Sequence, residues 1–163
     1  MCRMSQMGIR WFRAWCNWDY IEESPVVYYW DSMDQFVGIA KKYGITIYPV
    51  IMGGSKPYIN PSDITHDVAM GFRLPPDKTN FNNYVKAFAT RYKGKFPYYQ
   101  MWNEADTRLF LYPFKTEAYA AWLKETGAII RAVDPATPIL QRGGWQGKDR
   151  IDQNIGSRQS FVD

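Results

Sequence analysis

The feature that most constrains this chain is a repeated order: an amphipathic helical stretch, a glycine or proline, then a short apolar run. At the start, Met4 and Met7 with Gly8 read as the last turn and C-cap of a helix, and Gly8 to Trp15 as an aromatic-rich strand. Asp31 or Ser32 can then cap a helix carrying Met33, Phe36, Val37 and Ala40 on one face. Gly44 stops it just before the strand Ile45 to Ile51. The next cycle has Thr79 or Asn80 as cap, Phe81, Tyr84, Val85, Phe88 and Tyr92 facing inward, Gly94 as the stop and Phe96 to Trp102 as strand. In the third, Thr116 caps a helix whose buried stripe is Ala118, Trp122, Ile129, Ile130 and Val133. Pro135 terminates it before the strand Thr137 to Gln141.

Four apolar strands separated by single helices imply parallel pairing with right-handed crossovers, because antiparallel neighbours need only hairpin turns. The fold class is therefore α/β. No hairpin dipeptide, low-complexity tract or interdomain linker interrupts the pattern, so residues 1–163 read as a single domain. The long Gly/Pro/Asn-rich excursion from Met52 to Lys78 sits on the carboxyl side of a strand, where α/β folds place ligands. It reads either as a functional loop or as a floppy insertion.

Composition removes several function classes. With 46% hydrophobic and 17% aromatic residues, the 163-residue chain can bury a core. With 22% charged residues it has no apolar run approaching the ~18 residues a bilayer span requires, so a soluble protein without a membrane partner is expected. The net charge of +4 and pI near 9.0 arise from scattered Lys and Arg without a basic block. Gly143-Gly144 lacks the spacing and the Lys-Ser/Thr of a phosphate cradle, so no nucleic-acid or nucleotide partner is expected. Cys2, Cys16 and a lone histidine, His66, do not make a zinc site, and no metal or cofactor is implied. The two cysteines are either free thiols or one bridge. Met1-Cys2-Arg3-Met4 shows no signal peptide, which leaves the compartment open.

The sharpest chemical signal is Gln100-Met101-Trp102-Asn103-Glu104-Ala105-Asp106, where a strand ends in an Asn-Glu pair. Three more stretches accompany it: Gly8 to Arg13, Phe88 to Gly94, and Ile130 to Pro135 followed by Ile139-Leu140. Together they resemble the large clan of retaining glycoside hydrolases built on (β/α)8 barrels, which holds many cellulases, mannanases and xylosidases. The resemblance covers about strands 2 to 5 of such a barrel, with Ala105 where the clan commonly has proline. It implies parallel βα units of the TIM-barrel type, an incomplete barrel, and hydrolysis of β-linked poly- or oligosaccharides. It implies Glu104 as general acid/base, Asn103 as the contact to the sugar 2-hydroxyl, and Arg13, at the end of its strand, as the group orienting the nucleophile. A retaining mechanism needs a second carboxylate about 5–5.5 Å from the first. In the clan it ends the seventh strand, so it is expected outside this segment, a full barrel taking roughly 250 residues. A polysaccharide-degrading parent protein would favour an extracellular location.

Asp19, Glu22, Glu23 and Asp106 are weak substitutes for that carboxylate, since a nucleophile has to be held at a strand end. Trp15, Trp18, Trp102 and Trp145 fall at or just after strand ends, where flat rings can stack on pyranose faces. Trp11, Trp30 and Trp122 read as packing, and His66 as a solvated residue. Asn17 and Asp19 are polar loop residues able to bond hydroxyls. The alternative to an enzyme is a noncatalytic carbohydrate-binding half-barrel, whose open sheet edges predict a homodimer or pairing with a complementing barrel segment.

Overall fold

The computed structural model describes residues 1–53, 78–105 and 116–141. In chain order its elements are α1 (Cys2–Gln6), β1 (Trp11–Asn17), α2 (Trp18–Ile21), β2 (Glu22–Ser24), β3 (Val27–Tyr28), α3 (Asp31–Lys42), β4 (Thr46–Met52), α4 (Lys78–Arg91), β5 (Tyr99–Met101), α5 (Thr116–Val133) and β6 (Ile139–Gln141). Strands β1, β4, β5 and β6 form one sheet in that order, and every pairing is parallel. Trp11 pairs with Thr46 and Asn17 with Met52, Val50 faces Gln100, and Tyr99 faces Ile139. This is the α/β architecture that the helix–strand alternation predicts.

The punctuation residues act as read. Gly8, Gly44 and Gly94 adopt φ of +82°, +63° and +67°, the left-handed conformation that closes a helix. The caps differ. Helix α3 begins at Asp31 with Trp30 as N-cap and no side-chain cap bond, so neither Asp31 nor Ser32 caps it, and Asp34 in its first turn bonds Arg91 and Tyr92. Helix α4 starts at Lys78, so Thr79 and Asn80 lie inside its first turn. The first strand runs Trp11–Asn17 rather than Gly8 to Trp15, which places Arg13 third of seven residues and not at the end.

A second correction is the small antiparallel pair β2–β3. No hairpin dipeptide marks it. The Glu22 carboxylate makes the turn instead, accepting the Trp18 indole N–H and, at 2.5 Å, the backbone N–H of Val26, which is held at φ +64°.

Inward packing follows the α4 stripe: Phe81, Tyr84, Val85, Phe88 and Tyr92 are all fully buried. Phe81 is the hub of an aromatic cluster, its ring 5.4 Å from Trp18, 5.9 Å from Tyr84, 6.2 Å from Trp102 and 5.0 Å from Trp122. At the amino-terminal end of the strands, Asp134 Oδ2 accepts from Gly94 N–H (3.0 Å), Tyr99 O–H (3.0 Å) and Thr137 O–H (2.9 Å). One carboxylate thus joins the end of α5 to the start of β5. Both cysteines are free thiols, Cys2 exposed and Cys16 buried. Among the described residues, no helix is long and apolar enough to cross a membrane.

The two faces of β1 differ. Phe12 packs edge-on against Phe36, and Cys16 approaches Met33, so this face meets α3. Trp11, Arg13, Trp15 and Asn17 alternate onto the other face, the one a closed barrel turns inward. There Trp11, Arg13, Tyr48, Tyr98, Gln100 and Gln141 border an open cavity of about 460 Å³.

Candidate active site

The site is assembled where β5 ends. Trp102 still donates its backbone N–H to the Ile51 carbonyl of β4 (3.0 Å), so the ladder continues one residue beyond the strand. The chain then leaves it through two non-glycine residues in left-handed conformation, Trp102 at φ +61° and Glu104 at φ +41°. Such backbone costs about 1–3 kcal/mol per residue and persists only where surrounding contacts impose it. Here the Trp102 indole is buried against Phe81 and Trp122, Ala105 is buried, and Asn103 is only 3% exposed. Glu104 between them is partly exposed.

Arg13 reaches across the face of β4 to this turn. Its Nε–H donates to Gln100 Oε1 at 2.9 Å and its Nη2–H to Asn103 Oδ1 at 2.8 Å. The Gln100 amide is used at both ends, because its Nε2–H donates to the Trp102 carbonyl at 2.7 Å. A fixed guanidinium charge therefore stands beside the Asn-Glu pair, with both donors committed to neutral acceptors. Arg13 and Asn103 are thus brought together, and Glu104 follows Asn103 in the chain. Gln100 was missed from sequence. It lies between Tyr99 and Met101 in an apolar strand, and only its parity with the cavity face distinguishes it.

The expected stacking tryptophans separate. Trp15 is 48% exposed on the cavity face. Trp18 and Trp102 are 0% and 1% exposed, their rings covered by Phe81, Tyr84 and Trp122, so they are core residues and not stacking surfaces. Conversely Trp11, read as packing, is 52% exposed and stacks on Tyr98. Trp30 and Trp122 do pack, Trp30 on Tyr84, Phe88 and Tyr92 and Trp122 in the core. Asn17 is the last residue of β1 and not a loop residue. It is 6% exposed, and its Oδ1 has no hydrogen-bond partner among the described residues.

Of the loop acids, Glu22 is 2% exposed and committed to its own turn, whereas Glu23 is exposed. Asp19 sits where a Cβ on Gly53 would meet its Oδ1 at 2.9 Å. Trp145, His66, Asp106, Gly143, Gly144 and most of the Met52 to Lys78 excursion lie outside the described residues. Among the described residues no group of three or more His, Cys, Asp and Glu could hold a metal ion.

Parallel strands in sequential order, with helices between them and a polar cluster at a strand's carboxyl end, are part of a (β/α)8 barrel. No protein-family model matches the chain, and no curated protein sequence does. Among solved structures it is similar to a family 39 β-xylosidase from Caulobacter crescentus, with TM-score 0.70 and 16% identity over 95% of this chain and 39% of that one. It is also similar to the endoglucanase Cel5A of Thermotoga maritima, with TM-score 0.67 and 16% identity over 98% of this chain and 49% of that one. A family 39 glycoside hydrolase from Bacteroides cellulosilyticus gives TM-score 0.63 and 17% identity, over 85% of this chain and 27% of that one. At such identities the likeness is one of fold, and the resemblance to barrel glycoside hydrolases holds at that level. The chain spans between 27% and 49% of the length of these three structures.

Proposed function

We propose that this chain is the acid/base-bearing part of a retaining glycoside hydrolase acting on β-linked poly- or oligosaccharides. The observation that carries the reading is the Arg13–Asn103 hydrogen bond beside Glu104, at the carboxyl end of a parallel strand. Asn103, anchored through its Oδ1, keeps its amide N–H groups to offer a sugar hydroxyl, the 2-hydroxyl in this reading. Glu104 protonates the glycosidic oxygen as the bond to the anomeric carbon breaks. A carboxylate outside this segment attacks that carbon to form the glycosyl-enzyme, and Glu104 then takes a proton from the water that hydrolyses it. Trp15 offers an apolar ring to the sugar face. Hydrolysis of aryl β-glycosides by a complete barrel carrying this segment and the second carboxylate, with and without Glu104→Gln, tests this. General acid/base assistance is worth about 10²–10⁴-fold, so the variant falls by that order. Equal rates remove Glu104 from the chemistry.

A second reading, a noncatalytic carbohydrate-binding half-barrel that pairs with a second copy or a complementing βα segment, is favoured by Trp11 and Trp15. They are 52% and 48% exposed on a face that a closed barrel buries. Concentration-dependent sedimentation together with sugar retention that survives Glu104→Gln would support it.

A further inference from the structure

In an uninterrupted strand, side chains alternate between the two faces of the sheet. Gln100 lies on the cavity side with Arg13, and Tyr99 and Met101 are buried on the helix side. Continued alternation would place Trp102 beside Gln100 and turn Asn103 toward the helices. The reverse is observed. Trp102 packs between Phe81 of α4 and Trp122 of α5, and Asn103 meets Arg13 on the cavity side. The left-handed φ of Trp102, +61°, produces this exchange of sides.

Beyond the ladder bond from its N–H to the Ile51 carbonyl, the ring and the carbonyl of Trp102 are both held. The ring is fixed by the aromatic cluster. The carbonyl, which ordinarily would continue the ladder, is captured at 2.7 Å by the Nε2–H of Gln100. Gln100 is 5% exposed and its Oε1 is occupied by Arg13, so the amide has one orientation, fixed by an acceptor on one side and a donor on the other. We infer that Gln100 is a positioning residue: by clamping the Trp102 carbonyl it holds the left-handed turn that brings Asn103, and with it Glu104, onto the cavity side. This rests on the reading of Glu104 as proton donor, since the turn matters to function only through that carboxyl. A carboxylate at position 100 would still accept from Arg13 but would set an oxygen against the Trp102 carbonyl. The two halves of the role are therefore separable.

The experiment uses Gln100→Glu, Gln100→Met and Arg13→Met. The backbone at Trp102 is read from its amide–Hα coupling and 13Cα shift, and Asn103 and Glu104 from their amide resonances. Both Gln100 variants are expected to move these signals while Asp34 and Tyr92 resonances stay at wild-type positions. Arg13→Met, which leaves the Gln100–Trp102 bond intact, is expected to preserve the Trp102 coupling. In aryl β-glycoside turnover by a complete barrel carrying this segment, Gln100→Glu lowers kcat about 10- to 100-fold with KM within about twofold, the signature of a displaced reacting group. An unchanged Trp102 coupling in both Gln100 variants overturns the inference, even if hydrolysis still depends on Glu104. A moved coupling together with turnover indifferent to Glu104→Gln overturns the proposed function and leaves the clamp standing.

Discussion

Arg13 and Asn103, 90 positions apart in the chain, are joined by a 2.8 Å hydrogen bond that passes over the strand between them. Arg13 pairs in register with Tyr48 of β4, and β4 in turn pairs Val50 with Gln100 of β5. The bond exists only when β1 and β5 flank β4 in parallel, each in its observed register. A long side chain with a flat, multi-donor head suits the span: it can bond Gln100 and Asn103 together.

Replacing Arg13 with methionine leaves Gln100 Oε1 and Asn103 Oδ1 without their donor in a buried setting. An unsatisfied buried polar group costs about 1–3 kcal/mol. Arg13→Met is expected to lower the urea midpoint accordingly. Arg13→Lys, with a compact ammonium in place of the two-pronged head, is expected to recover only part of the loss. A midpoint for Arg13→Lys equal to that of wild type would mean that the forked geometry contributes nothing.

Most of the scaffold was legible because its punctuation is local. Gly8, Gly44 and Gly94 each take a positive φ, and the α4 stripe from Phe81 to Tyr92 follows simple helical periodicity. The misreadings arose where a distant partner decides the outcome. Asp31 and Ser32 do not cap α3, which begins after Trp30, and Asp34 within it pairs with Arg91, 57 positions away; Glu22 builds a hairpin turn that no turn dipeptide marks. At the site, Asn103 and Glu104 were visible as a strand-end pair, but the left-handed Trp102 was not. Its place at a strand end suggested a stacking ring, whereas α4 and α5 supply a packed place for it.

Gly53 follows β4 directly and has φ +97°, and a Cβ there would lie 2.9 Å from Asp19 Oδ1 and 3.3 Å from the Trp18 backbone nitrogen. Gly44 has φ +63° with nothing within 4 Å of such an atom. Alanine at Gly44 therefore meets backbone strain alone, about 1–2 kcal/mol, whereas at Gly53 the clash adds to it. Thermal unfolding is expected to rank Gly53→Ala below Gly44→Ala. The opposite order would show that the turn joining β4 to the rim can yield.

Phe81 touches four aromatic rings, including two of the four tryptophans read from sequence as stacking surfaces, Trp18 and Trp102. Its removal opens a cavity lined by large rigid rings that collapse poorly. Phe81→Ala is expected to cost about 3–5 kcal/mol in denaturant unfolding. Ile39→Ala, at a site 39% exposed, is expected to stay within about 0.5 kcal/mol. A loss at Phe81 no larger than at Ile39 would mean that the aromatic cluster is not what fixes the Trp102 ring.

Asp134 gives the fold a pH signature. Burial pushes its carboxyl up, but the Gly94 N–H, the Thr137 and Tyr99 hydroxyls and the nearby Lys93 charge outweigh that and hold it below the ordinary carboxylate value. Tyr99 is pushed the other way, by burial first and then by Asp134, and remains a donor. A carboxyl depressed in the folded state contributes stability that is fully present above its unfolded value of about 3.9 and is lost as pH falls through the lower folded value. Hydrogen bonds to a charged group are worth about 1.5–3 kcal/mol, so Asp134→Asn is expected to lose about that much at neutral pH. Denaturant midpoints followed downward in pH should then show the gap between wild type and variant begin to narrow below about pH 4 and close as pH falls through the lower folded value. A difference that stays constant across the acid range would show that the Asp134 charge contributes nothing and that the three donors serve only its shape.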